Sequence, residues 1–154
     1  MKQKRITRKS VCFLLFLGSV FILLLVFFRG PIRLPNVDEI TRIEMSAGRT
    51  YDYVEIEITN VEDIEIVMTA LSSATVINRF GANNDFPPGE GALRISPLRM
   101  FDGEEGVSNR LFLFIDNESG NEYLWQSYVG VYRLSEENIN VIRQLFEVIV
   151  DNQN

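Results

Sequence analysis

The chain has 154 residues, one cysteine, no histidine and a net charge of −6 at pH 7. That length suits a single domain. Without histidine there is no Ser-His or Cys-His nucleophile pair, and a zinc or copper centre has no usual ligand beyond Cys12.

The charge is divided along the chain. Lys2, Lys4, Arg5, Arg8 and Lys9 give residues 1–10 a charge of +5, which leaves −11 for the remainder. All lysines lie in that first stretch, so a Ser-Lys pair is also excluded from the rest. A body at −11 repels nucleic acid, anionic bilayers and anionic wall polymers, and suits cations or basic protein surfaces better. Acidic charge also simply keeps a domain soluble.

Val11 to Phe28 (VCFLLFLGSVFILLLVFF) is an uncharged run of 18 residues. As one helix it would extend about 27 Å, close to the hydrocarbon thickness of a bilayer. The run ends on Phe27-Phe28 and Arg29 follows, so no small-residue cleavage site is evident. Cys12 stands at the start of the run, where a lipoprotein signal would place its cysteine at the end. The expectation is an uncleaved transmembrane signal anchor over 11–28. By the excess of basic residues before it, residues 1–10 are cytoplasmic and the domain is outside. The expected location is the cell membrane, crossed once. Residues 29–38, with Pro31 and Pro35, read as a stiff spacer.

The expected domain covers 39–150, with 151–154 as a frayed tail. Ile40–Met45 and Tyr51–Thr59 alternate apolar and polar residues and predict a hairpin. Asn60 predicts an N-cap, and Val61, Ile64, Val67, Met68 and Leu71 recur at helical spacing, which predicts a helix over 61–72. Thr75–Phe80 reads as a short strand and Gly81–Gly91 as a loop. Ala92–Phe101 reads as an edge or bulged strand because of Pro97. Asp102–Asn109 reads as a polar loop. Arg110–Ile115 is apolar on both parities and predicts a central strand. Glu122–Tyr128 and Gly130–Leu134 follow as strands, and Ser135 caps a last helix. The predicted fold class is α+β: an antiparallel sheet of about five to six strands with two helices on one face, behind a single N-terminal transmembrane helix.

Carboxylates are the remaining chemistry. Asp102, Glu104 and Glu105, or Asp116 and Glu118, offer oxygen ligands, but the calcium-loop spacing is absent. Asn117-Glu118-Ser119 matches a glycosylation sequon and equally a hairpin turn. The segment from Tyr123 to Arg133 concentrates Tyr123, Trp125, Tyr128, Tyr132 and Arg133. One reading makes these an aromatic recognition surface for a peptide or glycan; the other makes them sheet packing.

The stretch Gln126, Tyr128, Gly130, Val131, Tyr132, Leu134 and Ser135, leading into the last helix, resembles a family of small cell-envelope domains from Gram-positive Firmicutes. The resemblance covers about Glu39 to Val150. It implies an envelope location behind a signal or anchor, and no activity, since that family is a domain of unknown function.

The expectation for function is therefore a non-enzymatic binding module of the cell envelope, with no cofactor and no metal, a membrane contact through Val11–Phe28, a protein or peptide partner and no nucleic acid. The alternatives are a carboxylate-dependent hydrolase of cell-wall glycan and an assembly factor acting through its apolar helix at Gly18-Ser19.

Overall fold

The computed structural model describes residues 15–23, 32–48, 54–78 and 89–153. The chain forms two compact units, Met1–Gly30 and Pro31–Asn154. In the first, residues 15–23 are helical (α1).

The expected transmembrane span is corrected here: among the described residues no helix is long and apolar enough to cross a membrane. Nine helical residues rise about 13 Å, under half of a bilayer's apolar thickness. The flanking parts of the expected span, 11–14 and 24–28, lie outside the described residues, as do 1–10.

Among the described residues the second unit opens with a 3-10 turn, Val37–Glu39, and contains eight strands and two α-helices. The strands are β1 Ile40–Ala47, β2 Val54–Ile58, β3 Thr75–Asn78, β4 Gly89–Phe101, β5 Glu104–Val107, β6 Leu111–Asp116, β7 Glu122–Gln126 and β8 Gly130–Arg133. The helices are α2 Val61–Ser72, between β2 and β3, and α3 Glu136–Gln153. The sheet runs β2-β1-β4-β6-β7-β8-β3, with β5 paired to the far end of β4, and every pairing is antiparallel. The sheet is thus larger than the expected five to six strands. The expected loop 102–109 contains β5, and the expected loop 81–91 ends in β4; residues 79–88 lie outside the described residues.

Alternation builds the core. Ile43 and Met45 of β1, Ile56 and Ile58 of β2, Leu93 and Ile95 of β4, Leu111 and Leu113 of β6, and Leu124 and Tyr132 of β7 and β8 form one buried cluster with both helices. From α2 it takes Ile64, Val67, Met68 and Leu71, and from α3 Ile139 and Ile142. A register shift between Ile40 and Arg42 lets Ile40, rather than Thr41, turn inward. The opposite face is charged over β1, β2 and β4 and aromatic over β6 and β7, where Phe112, Phe114 and Trp125 form a second buried cluster. Asn60 caps α2, its Oδ1 accepting from the Glu62 N–H at 2.9 Å.

Pro97 does not put β4 at an edge, since the strand lies between β1 and β6. Along that side of β4, pairing with β6 stops at Ile95 and pairing with β5 starts at Leu98. The Pro97 carbonyl faces this seam and accepts from the Ser108 N–H at 2.9 Å and from its hydroxyl at 3.0 Å. In a strand the N–H of a residue points the same way as its C=O, so the donor that proline lacks falls in the seam and costs no ladder bond.

Candidate binding site at the β7–β8 turn

Five side chains were candidates for a single aromatic surface, and the structure distributes them over several places. Tyr132 is fully buried on the helix side. Trp125 is buried on the other face, edge-on to Phe114 at 6.2 Å. Tyr123 is half-buried at the opposite end of β7 from the β7–β8 turn, and Arg133 is exposed beside it. The Tyr123 phenol is held below its ordinary value, first by its hydrogen bond with the Ser119 side chain, then by Asn121 and Arg133. Tyr128 stands apart in the turn, 73% exposed.

The turn is closed by the Val129 N–H donating to the Gln126 carbonyl at 3.0 Å. It places Tyr128 at φ +60°, in the left-handed region. Glycine or asparagine ordinarily occupies such a position, and for other residues it costs about 1–2 kcal/mol. A large aromatic side chain is therefore held in a strained turn and presented to solvent, an arrangement that packing does not require.

Two arginines flank it. The Ser127 N–H donates to the Arg110 carbonyl at 3.2 Å, so Arg110 adjoins the turn across the β6–β7 pair. The Arg33 carbonyl accepts from Gln126 Nε2 at 2.6 Å and from Asn109 Nδ2 at 3.2 Å. Ile32 is buried in the main core. The segment leading into β1 is thus fastened beside the turn by apolar burial and two side-chain amides. Arg33 and Arg110 are both exposed. Among the described residues neither makes an ion pair, whereas Arg42, Arg94, Arg99 and Arg143 all do. Beneath the turn, Gln126 is 1% exposed and its Oε1 has no partner among the described residues; the same holds for the Ser127 hydroxyl.

The arrangement offers an aromatic ring and two guanidinium groups that are unpaired among the described residues, within one stretch of hydrogen-bonded backbone. It suits a carboxylate next to an apolar group. The concentration of aromatic residues between Tyr123 and Arg133 marked Tyr128 but neither Arg33 nor Arg110. They meet only through the clasp at Arg33, and no local pattern encodes that.

Replacing Gln126 with leucine removes the stronger half of the clasp. The expected cost is about 1 kcal/mol, with faster amide hydrogen exchange over residues 32–39, as mass spectrometry would read it.

The perturbed carboxyls lie elsewhere. Glu39 is lowered from 4.5, first by its hydrogen bond with Arg99 and then by Asn36. Asp116 is lowered from 3.8, first by the Ser119 hydroxyl at 2.7 Å and then by the Ser119 N–H at 2.9 Å. A carboxyl depressed on folding adds stability that is present above its unfolded value and disappears as pH falls through the folded one. Denaturant unfolding between pH 5 and pH 2, as an approximate window set by these two groups, should therefore show stability falling with acid. The slope should be shallower in Glu39→Gln and Asp116→Asn.

The sequence profile of family DUF5301, described as a domain of unknown function (DUF5300), matches residues 29–133. The match takes in the clasp, the turn and every strand, and stops before α3. Neither the curated proteins nor the solved structures include a match. By the extent of that match, the chain belongs to this family, a domain of unknown function.

Proposed function

We propose that the chain is a non-catalytic binding module of the cell envelope, working at the outer face of a membrane, which holds a protein partner through the β7–β8 turn. The observation that carries this is Tyr128, exposed at a left-handed position that glycine would occupy without strain. Arg33 and Arg110 beside it supply unspent positive charge on a body that is otherwise acidic. The partner's matching feature is an acidic side chain or terminal carboxylate next to apolar surface. The location is the one implied by the resemblance of the stretch Gln126 to Ser135 to small cell-envelope domains.

The carboxylate-hydrolase reading gains no support from proton affinities. Among the described residues the two shifted carboxyls, Glu39 and Asp116, both move down, whereas a glycosidase's acid must be raised.

The test places the photo-crosslinker benzoylphenylalanine at position 128 of the full-length protein in its native cells. The expected result is an adduct with one protein, lost when Arg110 is changed to glutamate. No adduct, or an adduct that survives Arg110→Glu, overturns the proposal.

A further inference from the structure

A second surface lies at the β2 edge of the sheet, four strands from β7. Among the described residues β2 pairs only with β1, so one row of N–H and C=O groups along Val54–Ile58 has no strand beside it. Such a row is a template for a further strand. Its side chains are polarised. On the face away from the helices Glu55 and Glu57 have side chains 46% and 56% exposed. Among the described residues they are met from the inner side, by Arg94 at 3.1 Å and Arg42 at 3.9 Å.

On the helix side, β2 borders a groove of about 410 Å³. Its apolar lining comes from Ala47, Val54, Phe146 and Val150, and its acidic lining from Glu147 and Asp151. Val54 is 40% exposed there. Glu147 and Asp151 are exposed and, among the described residues, form no ion pair. The last turn of α3 contains no basic residue, so the negative end of that helix adds to the same field. A strand laid along β2 would therefore meet carboxylates on both of its faces, with an apolar floor under one.

Charge selects the occupant. A second copy pairing β2 with β2 would bring Glu55 and Glu57 against the same two carboxylates, and like charges across a strand pair are destabilising. A strand with lysine or arginine on both of its faces would be matched throughout. We propose that the outer edge of β2 and the groove beside it accept an extended basic segment of a partner protein, added to the sheet as an extra antiparallel or parallel strand. Main-chain hydrogen bonds supply the attachment, and the four carboxylates select the sequence. This surface is separate from the β7–β8 turn, and either assignment can fail without the other.

The test uses the full-length protein and a fluorescent eight-residue peptide of repeating Lys-Lys-Val-Val, which puts lysine on both faces of a strand, read by anisotropy. Binding is expected to weaken at least about tenfold in Glu147→Gln/Asp151→Asn. It should also disappear when alternate peptide amides are N-methylated on the side that meets β2, and be undetectable for repeating Glu-Glu-Val-Val. Tyr128→Gly should leave it unchanged. No binding of the lysine peptide, equal binding of its N-methylated form, or equal binding by the double variant would each overturn the proposal. So would tighter peptide binding when Lys2, Lys4 and Arg5 are changed to glutamine, because the chain's own N-terminus would then be the occupant. Glu147 and Asp151 are exposed, and far-ultraviolet circular dichroism of the double variant checks that the fold is retained.

Discussion

Leu113→Ala is expected to lower the free energy of unfolding by about 2–5 kcal/mol, as read from urea or guanidinium midpoints. Leu113 is fully buried. It lies on β6, the middle strand of the seven-strand path, opposite Leu93 on one side and Leu124 on the other. Strands hydrogen-bonded on both sides and a helix layer beneath leave little room for collapse around the missing atoms, so the cavity persists. Domains are stable by only about 5–15 kcal/mol, and the substitution removes a large share of that. Val148→Ala on the exposed side of α3, where the valine is 56% exposed, should stay within about 0.5 kcal/mol of the parent. Equal losses from both would mean that the sheet and helices do not form one cooperative core.

Tyr128→Gly is expected to separate stability from binding. Glycine adopts φ +60° without a Cβ penalty, so the variant should be unchanged or more stable by up to about 1 kcal/mol. Loss of an exposed aromatic anchor at an interface should weaken capture of the partner by at least about 2 kcal/mol, or roughly 30-fold. Thermal unfolding and co-purification of the crosslinked protein give the two readouts. If Tyr128→Gly loses stability and leaves capture intact, the tyrosine is a packing residue and the turn is not the recognition point. Such opposed effects are the signature of strain retained for use.

Much of the helical structure was legible because its signals are local. Asn60 with Glu62 and Asp63 marks the start of α2, and Ser135 with Glu136 and Glu137 the start of α3. The apolar spacing in each helix points to the face that packs. The centrality of β6 was legible from apolar residues on both parities. The strand count was not. Pro97 argues against a central strand unless its missing donor faces a seam, and that seam exists only because β5 and β6 meet β4 at neighbouring stretches. β5 itself, Glu104–Val107, is polar and exposed, and nothing in its composition distinguishes it from a loop. The aromatics were ambiguous for a related reason. Alternation assigns Trp125 and Tyr132 to opposite faces, but whether a face is covered depends on elements distant in sequence. Tyr132 lies under the helices and Trp125 lies against Phe114. The candidate site depends on a contact between residues 93 apart, Arg33 and Gln126, which no window of sequence contains.

That contact also determines how the domain carries load. A pull on the chain upstream of Ile32 does not peel β1 from its start. It acts first on a buried isoleucine and on two amides rooted in Asn109 and Gln126, beside the middle strand of the sheet. The force enters where strands are held on both sides, and it runs across several hydrogen-bonded pairs before any one strand can separate. The segment between the N-terminal unit and the sheet therefore works as a strain relief, and the β7–β8 turn lies next to the point that bears the tension.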